Sequence, residues 1–264
     1  ERLDLWSLLL ETAADDEHDP DDVEEARVLE ADVRRTRQDM AEFRSNEGQA
    51  RLRTLLTRVC SRLASPYRQG LNEIGALFAW LWPASETMAQ RLFEAFVRRY
   101  CCALYETQSQ GRKSALLGGC RCFGTLLAYH DPALAKHLCA AGLSPALYAT
   151  PWLLTVLARC ASSLDDALRL YDVVLAKGDG GLVFFLGLAL LRTQRAVFLA
   201  TPAPRVPEAL SLLHIGDGAC TVQEVVREAL ALHADTPTSL HESLRRVLTY
   251  ADGRFAREER VALE

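Results

Sequence analysis

The spacing of apolar residues commits most of this chain to α-helix. Leu92, Phe93, Phe96, Val97, Tyr100 and Leu104 recur three or four positions apart, the signature of a one-sided apolar stripe on a 3.6-residue turn. Leu52, Leu55, Leu56, Val59 and Leu63 repeat the pattern, as do Val222, Val225, Val226, Ala229 and Leu230. Alternating apolar and polar residues bounded by turns, the mark of a strand, are nearly absent. Prolines at 20, 66, 83, 132, 145, 151, 202 and 237 act as punctuation, because proline breaks a helix interior. Thr221-x-x-Glu224 and Ser239-x-x-Glu242 read as capping boxes that open two of the helices. The expectation is an all-α fold of about a dozen or more helices, near 2–13, 23–34, 47–64, 68–82, 85–106, 112–129, 132–141, 146–160, 164–177, 181–199, 206–213, 221–233, 238–249 and 253–262.

At 264 residues the chain is long enough for one large domain with its own core. No fixed-period repeat suggests a solenoid. A soft boundary at Gly142, Pro145 and Pro151 divides the single domain, 1–264, into an N-terminal lobe of about 1–145 and a C-terminal lobe of about 146–264. With 49% hydrophobic and 25% charged residues, a largely disordered chain is disfavoured. The net charge of −5 argues against a protein that holds nucleic acid through its bulk field. The longest apolar run, Leu182 to Leu191, stops at Arg192, short of the ~18 residues that span a bilayer. No signal peptide opens the chain, which begins at Glu1 rather than Met and is expected to be an excised domain. Eight cysteines without a C-x-x-C pair fit a reduced, intracellular chain.

Three motifs invite chemistry and lose to plainer readings. The acidic stretch Asp15–Asp22 has Pro20 and Ala26 where a calcium loop needs Gly and Glu, and reads as a solvated loop. Cys120, Cys122, His130, His137 and Cys139 are zinc-ligand types at spacings that match no zinc pattern. Gly178-Asp179-Gly180-Gly181 follows a helix and lacks the Lys-Ser/Thr of a phosphate loop, so it reads as a helix stop and turn. No metal site is expected.

Two polar segments are more informative. In Leu29-x-x-Asp32-x-x-Arg35-Thr36, Asp32 and Arg35 share a helix face, where the carboxylate can hold the guanidinium in one rotamer. In Tyr67-x-Gln69-Gly70-Leu71-Asn72, Gln69 and Gly70 stand at the mouth of a very apolar helix carrying Ile74, Leu77, Phe78, Trp80 and Leu81. Each alone reads as a surface ion pair or a plain helix start.

Together, and in this order, they resemble the paired finger motifs of the TBC family, the Rab GTPase-activating domains. That family carries I-x-x-D-x-x-R followed by Y-x-Q; here Leu29 stands in the Ile place. Arg35-Thr36 is similar to its R-T pair, and Gln69-Gly70-Leu71-Asn72 to its Q-G-M-N. Pro151-Trp152-Leu153-Leu154-Thr155 resembles P-W-F-L-T, and Arg169-Leu170-Tyr171-Asp172 resembles R-I-W-D. The run His130-Asp131-Pro132-x-Leu134 with Gly142-Leu143 is similar to a branch with kinase-like and rhodanese-linked members. After Thr36 the usual proline and paired aromatics are missing, and Phe43 is the nearest candidate.

The resemblance implies two packed helical lobes forming a groove that receives a Rab-family GTPase in its GTP state. Arg35 and Gln69 would be catalytic fingers supplied in trans. Asp32, Thr36, Tyr67, Gly70 and Asn72 would support them, and Pro151, Trp152, Arg169 and Asp172 would be structural, the last two as ties in the core. No cofactor of its own is implied, since Mg²⁺ and GTP arrive with the partner. Membrane contact would be indirect, through that partner, at cytoplasmic trafficking membranes. The rival reading is a TBC-fold binding module or scaffold that docks a GTPase without accelerating hydrolysis. An unrelated helical scaffold with coincidental motifs is the third.

Overall fold

The computed structural model describes residues 2–10, 23–63, 65–105, 115–216, 218 and 220–249. Among them the architecture is all-α, with one isolated bridge between Ala161 and Ile215 and no strand. The chain forms two compact units, Glu1–Cys101 and Cys102–Glu264. The expected acidic loop at Asp15–Asp22 and the helix at 253–262 lie outside the described residues.

The first unit contains α1 (Arg2–Leu10), α2 (Val23–Arg35), α3 (Ala41–Arg44), α4 (Asn46–Arg62), α5 (Leu71–Leu81) and α6 (Glu86–Phe96), closed by a π-helical turn at Val97–Cys101. α4 packs against α2, α3, α5 and α6, and α1 lies on α6. The α4 stripe is buried as its spacing requires: Leu52, Leu55, Leu56, Val59 and Leu63 all lose their exposure. An aromatic chain fills the core. Phe78 of α5 meets Trp6 at 5.5 Å, Phe93 at 5.2 Å and Phe96 at 5.7 Å between ring centroids. Trp80, on the same apolar helix, faces outward at 43% exposure, because the buried face of α5 is carried by Ile74, Leu77 and Phe78.

The second unit contains α7 (Cys102–Tyr105), α8 (Ala115–His130), α9 (Pro132–Ala140), α10 (Pro145–Leu154), α11 (Leu164–Lys177), α12 (Leu182–Thr193), α13 (Arg195–Ala200), α14 (Val206–Ser211), α15 (Val222–Asp235) and α16 (Thr238–Thr249). Residues 182–191 of α12 are all buried, which is why that run is apolar on every face. α12 packs on α15, α10, α11 and α8, while α8 also receives α7, α9, α10 and α16. Among the described residues, no helix is long and apolar enough to cross a membrane.

Several sequence expectations shift. The two units divide after the π-helical turn, at Cys101/Cys102, whereas Gly142 and Pro145 join α9 to α10 inside the second unit. That same turn breaks the single helix expected over 85–106. Pro151 lies within α10 and is no breaker there. The amide it lacks would have served Leu147, an exposed residue whose carbonyl water can take. The Thr221/Glu224 capping box forms, but α16 starts at Thr238, one residue ahead of the expected Ser239 cap. On α15 the buried stripe runs through Val222, Val225, Ala229 and Leu232, leaving Leu230 40% exposed.

Candidate functional site

The site lies where α2 ends and α5 begins, both in the first unit. Arg34 and Arg35 occupy the last turn of α2, where the helix dipole favours cations. Thr36 closes the helix: its N–H and its hydroxyl both donate to the Asp32 carbonyl, at 3.0 and 2.7 Å. The chain then turns through Arg37, whose φ of 44° is left-handed. Seventeen-residue α4 supports α2 from beneath, and a second tie is the ion pair of Arg53 on α4 with Glu30 on α2.

Asp32 is 3% exposed, so its charge requires compensation from neighbours. It receives two. Arg35 donates from Nη2 to Oδ1 across 2.5 Å, and the Tyr67 hydroxyl donates to Oδ2 across 2.9 Å. Burial drives the Tyr67 pKa far above the ordinary tyrosine range, and the Asp32 carboxylate beside it pushes the same way. Tyr67 therefore stays a neutral donor. Arg35 also donates from Nε to the Ala31 carbonyl at 3.1 Å, while its side chain remains 67% exposed. Among the described residues, two of the five guanidinium donors are engaged.

Gln69 lies in the two-residue turn before α5 and is exposed. Its amide has no hydrogen-bond partner among the described residues. Gly70, the N-cap of α5, has φ 108° and ψ −27°, a left-handed conformation that a Cβ would strain. The turn is held by Asn72, 6% exposed. Its Oδ1 accepts from the Gly70 N–H at 3.1 Å, and its Nδ2 donates to the Thr36 hydroxyl at 2.9 Å. Tyr67 also reaches Asn72 Oδ1 at 3.2 Å. One buried polar cluster of Asp32, Thr36, Tyr67 and Asn72 thus joins the backbone beside Arg35 to the backbone beside Gln69.

The sequence motifs named Asp32, Arg35, Thr36, Tyr67, Gln69, Gly70 and Asn72, but not the other contacts that hold them. Arg37 reaches Glu73 of α5 at 3.7 Å with both side chains largely buried, a further tie between the two segments. Gln38 donates to the carbonyls of Thr36 and Phe43, both at 3.3 Å. Phe43 itself is buried, filling the place expected of an aromatic after the finger. Only the charge of Arg37 and Glu73 hinted at that pair.

The other named residues belong to the second unit. Trp152 is buried and forms an aromatic cluster with Phe123 and Tyr148, with centroids 6.1 and 5.7 Å away. Thr155 returns a hydrogen bond to the Pro151 carbonyl at 2.7 Å and accepts one on its own carbonyl from Tyr171 at 2.9 Å. Arg169 is no core tie: it is 51% exposed and pairs with Asp165 at 2.8 Å, one helical turn earlier. Asp172 is half-buried. The five residues of the weighed zinc cluster do not converge, and among the described residues the metal-ligand types gather at Asp179, His233 and His241 instead.

The family profile of the Rab-GTPase-TBC domain matches residues 2–199. This chain belongs to that family. It is 31% identical over 214 residues to the human TBC domain-containing protein kinase-like protein, covering 81% of this chain and 23% of that protein. The chain therefore spans about a quarter of the length of such curated relatives, whose kinase-like designation agrees with the branch suggested by the His130–Gly142 run. Its fold is similar to the Ypt/Rab-GAP domain of Gyp1p, with a TM-score of 0.63 at 16% identity over 88% of this chain and 80% of that one. It is also similar to the Chlamydomonas flagellar RabGAP TBC domain, with a TM-score of 0.55 at 17% identity over 95% and 70%.

Proposed function

We propose that this domain accelerates GTP hydrolysis by a Rab-family small GTPase in its GTP state, and so shortens the active life of that GTPase on trafficking membranes. The observation that carries the reading is Arg35. It is an exposed guanidinium, aligned by a buried carboxylate, with most of its donors unspent.

A GTPase must neutralise charge that develops on the γ-phosphate and orient a water in line with it. Arginine suits the first task because it stays charged and presents a planar fork of donors. Asp32 and the Ala31 carbonyl hold Arg35 before the partner arrives, so less rotamer freedom is lost on docking. Gln69 serves the second task, its amide able to accept from the water and donate to a phosphate oxygen. The Asn72–Thr36 bond keeps the two fingers in register. The domain itself forms no covalent intermediate. GTP and Mg²⁺ come with the partner, and through that partner the domain reaches the cytoplasmic face of the membrane.

The test is single-turnover GTP hydrolysis by a panel of GTP-loaded Rabs with the wild-type chain, Arg35→Ala and Gln69→Ala. Acceleration by wild type that both variants lose supports the two-finger reading. A Rab that binds the chain equally well with and without Arg35, and never hydrolyses GTP faster, would establish the docking module instead.

A further inference from the structure

A second cluster of reactive side chains stands apart from the fingers, in the second unit. Asp179 sits in the Gly178–Gly181 turn between α11 and α12. His233 closes the last turn of α15, and His241 opens α16 beyond the Thr236-Pro237 corner. One ligand atom from each, two imidazole nitrogens and a carboxylate oxygen, lies within 4.8 Å of the others. All three residues are half-buried, open enough for an ion to enter.

We propose that Asp179, His233 and His241 form a zinc-class metal site that clips the α11–α12 turn to the α15–α16 corner. The geometry favours it in three ways. His233 Nε2 and Asp179 Oδ2 are 3.0 Å apart, joined by a proton. Two ligands on a tetrahedral zinc at ~2.0–2.1 Å stand about 3.3 Å from each other, so a metal can take the proton's place with little movement. Second, His241 Nε2 donates to the His233 carbonyl at 3.0 Å. A metal-ligating histidine commonly anchors its other N–H on a carbonyl in this way, and the arrangement leaves the Nδ1 lone pair for the ion. Third, the Asp179 carboxylate is already fixed in place: its Oδ1 accepts from the Gly181 N–H at 2.9 Å, while Oδ2 meets His233.

Phe185 packs against both imidazoles, at 5.0 and 5.4 Å, and restricts their rotation. Two imidazoles and one carboxylate suit zinc, with water as the fourth ligand. On binding, the Nε2 proton of His233 passes to solvent or to the ring's own Nδ1, and the freed Nε2 lone pair holds the ion. The charge of Arg245, felt at Asp179, opposes a cation and sets the site toward modest affinity. The inference does not depend on the Rab-GAP reading, since the site shares no residue with the fingers.

The test is calorimetric titration of the metal-stripped 264-residue chain with Zn²⁺, together with the visible spectrum of bound Co²⁺. His241→Gln keeps a donor for the His233 carbonyl while removing the ligand; Asp179→Asn keeps the turn's hydrogen-bond geometry while removing the charge. His214→Gln, at an exposed histidine, is the control. One zinc per chain, a cobalt spectrum without a thiolate band, and a melting temperature raised by Zn²⁺ are expected. Affinity falls at least about tenfold in His241→Gln and Asp179→Asn and is unchanged in His214→Gln. No binding in the wild type overturns the proposal. Binding of equal strength in the ligand variants, or a thiolate band in the cobalt spectrum, places the ion on cysteines and also overturns it.

Discussion

The side-chain amide of Asn72 donates to the Thr36 hydroxyl across 2.9 Å, and on its other side accepts from the Gly70 N–H. Arg35 and Gln69 are 34 positions apart in the chain, yet each is covalently next to one end of this bridge. The buried polar cluster is a rigid mount for two exposed side chains, and its energetics differ from those of the side chains it carries.

Removal of Gln69 should spare the fold: its side chain is exposed, so Gln69→Ala should alter stability by less than about 0.5 kcal/mol. Arg35→Lys should be as inactive as Arg35→Ala, losing about 10³-fold or more of the stimulated GTP hydrolysis, because a single ammonium cannot reproduce the fork held by Asp32. A lysine variant with near wild-type stimulation would contradict the role given to guanidinium geometry.

Asn72→Ala should damage both fold and function. It orphans the buried Gly70 N–H and takes the donor from Thr36, at a cost of about 1–3 kcal/mol. Chemical denaturation would register this as a lower midpoint with an unchanged slope. GTPase stimulation should drop further than the unfolded fraction explains, since the two fingers lose their common mount.

Tyr67→Phe isolates one hydrogen bond. The ring still fills its place, but Asp32 Oδ2 loses its donor in a buried setting, for about 1–3 kcal/mol. If Asp32 aligns Arg35 only when itself held, the stimulated rate at saturating Rab should fall while Rab affinity is largely kept. Equal loss in both quantities would point to a misfolded surface.

Gly70→Ala tests the turn alone. At φ 108° a Cβ should cost on the order of 1–2 kcal/mol, read as a lowered melting temperature. Gly70→Asn should recover part of it, because asparagine tolerates left-handed backbone.

The second unit should soften in mild acid. His130 donates from Nε2 to the Thr236 hydroxyl at 2.7 Å, since that hydroxyl gives its own proton to the Leu232 carbonyl. Burial, and then the charge of Arg192, lower the His130 pKa below the ordinary histidine value. The fold thus favours neutral imidazole. This contribution is complete above the unfolded-state pKa and is lost as pH falls from about 7 through the folded value. For a half-exposed group it should stay below about 1 kcal/mol. His130→Gln should flatten the difference in denaturation midpoint between pH 7.5 and pH 5.5; an unaltered difference would assign that acid sensitivity elsewhere.

Much of the candidate site was legible in the chain because it is built from local rules. Asp32 and Arg35 meet by helical spacing, Gly70 marks a turn no other residue enters freely, and the stripes of α4 and α6 were buried as their period required. The misreadings share a cause. Arg169 was expected in the core from its motif, but burial depends on which face of α11 meets a neighbour. Pro151 reads as a break until the surrounding helix offers its orphaned carbonyl to water.

The sequence by itself determined the helices, their caps, and which side chains had to leave water, because periodicity and backbone sterics act over a few residues. Only the tertiary structure decided which of these segments meet. It placed Asn72 against Thr36 and Arg37 against Glu73, and it brought Asp179 to two histidines more than fifty positions away. Such contacts depend on the packing of whole helices, whose free energy is summed over many apolar contacts and is written at no single position of the chain.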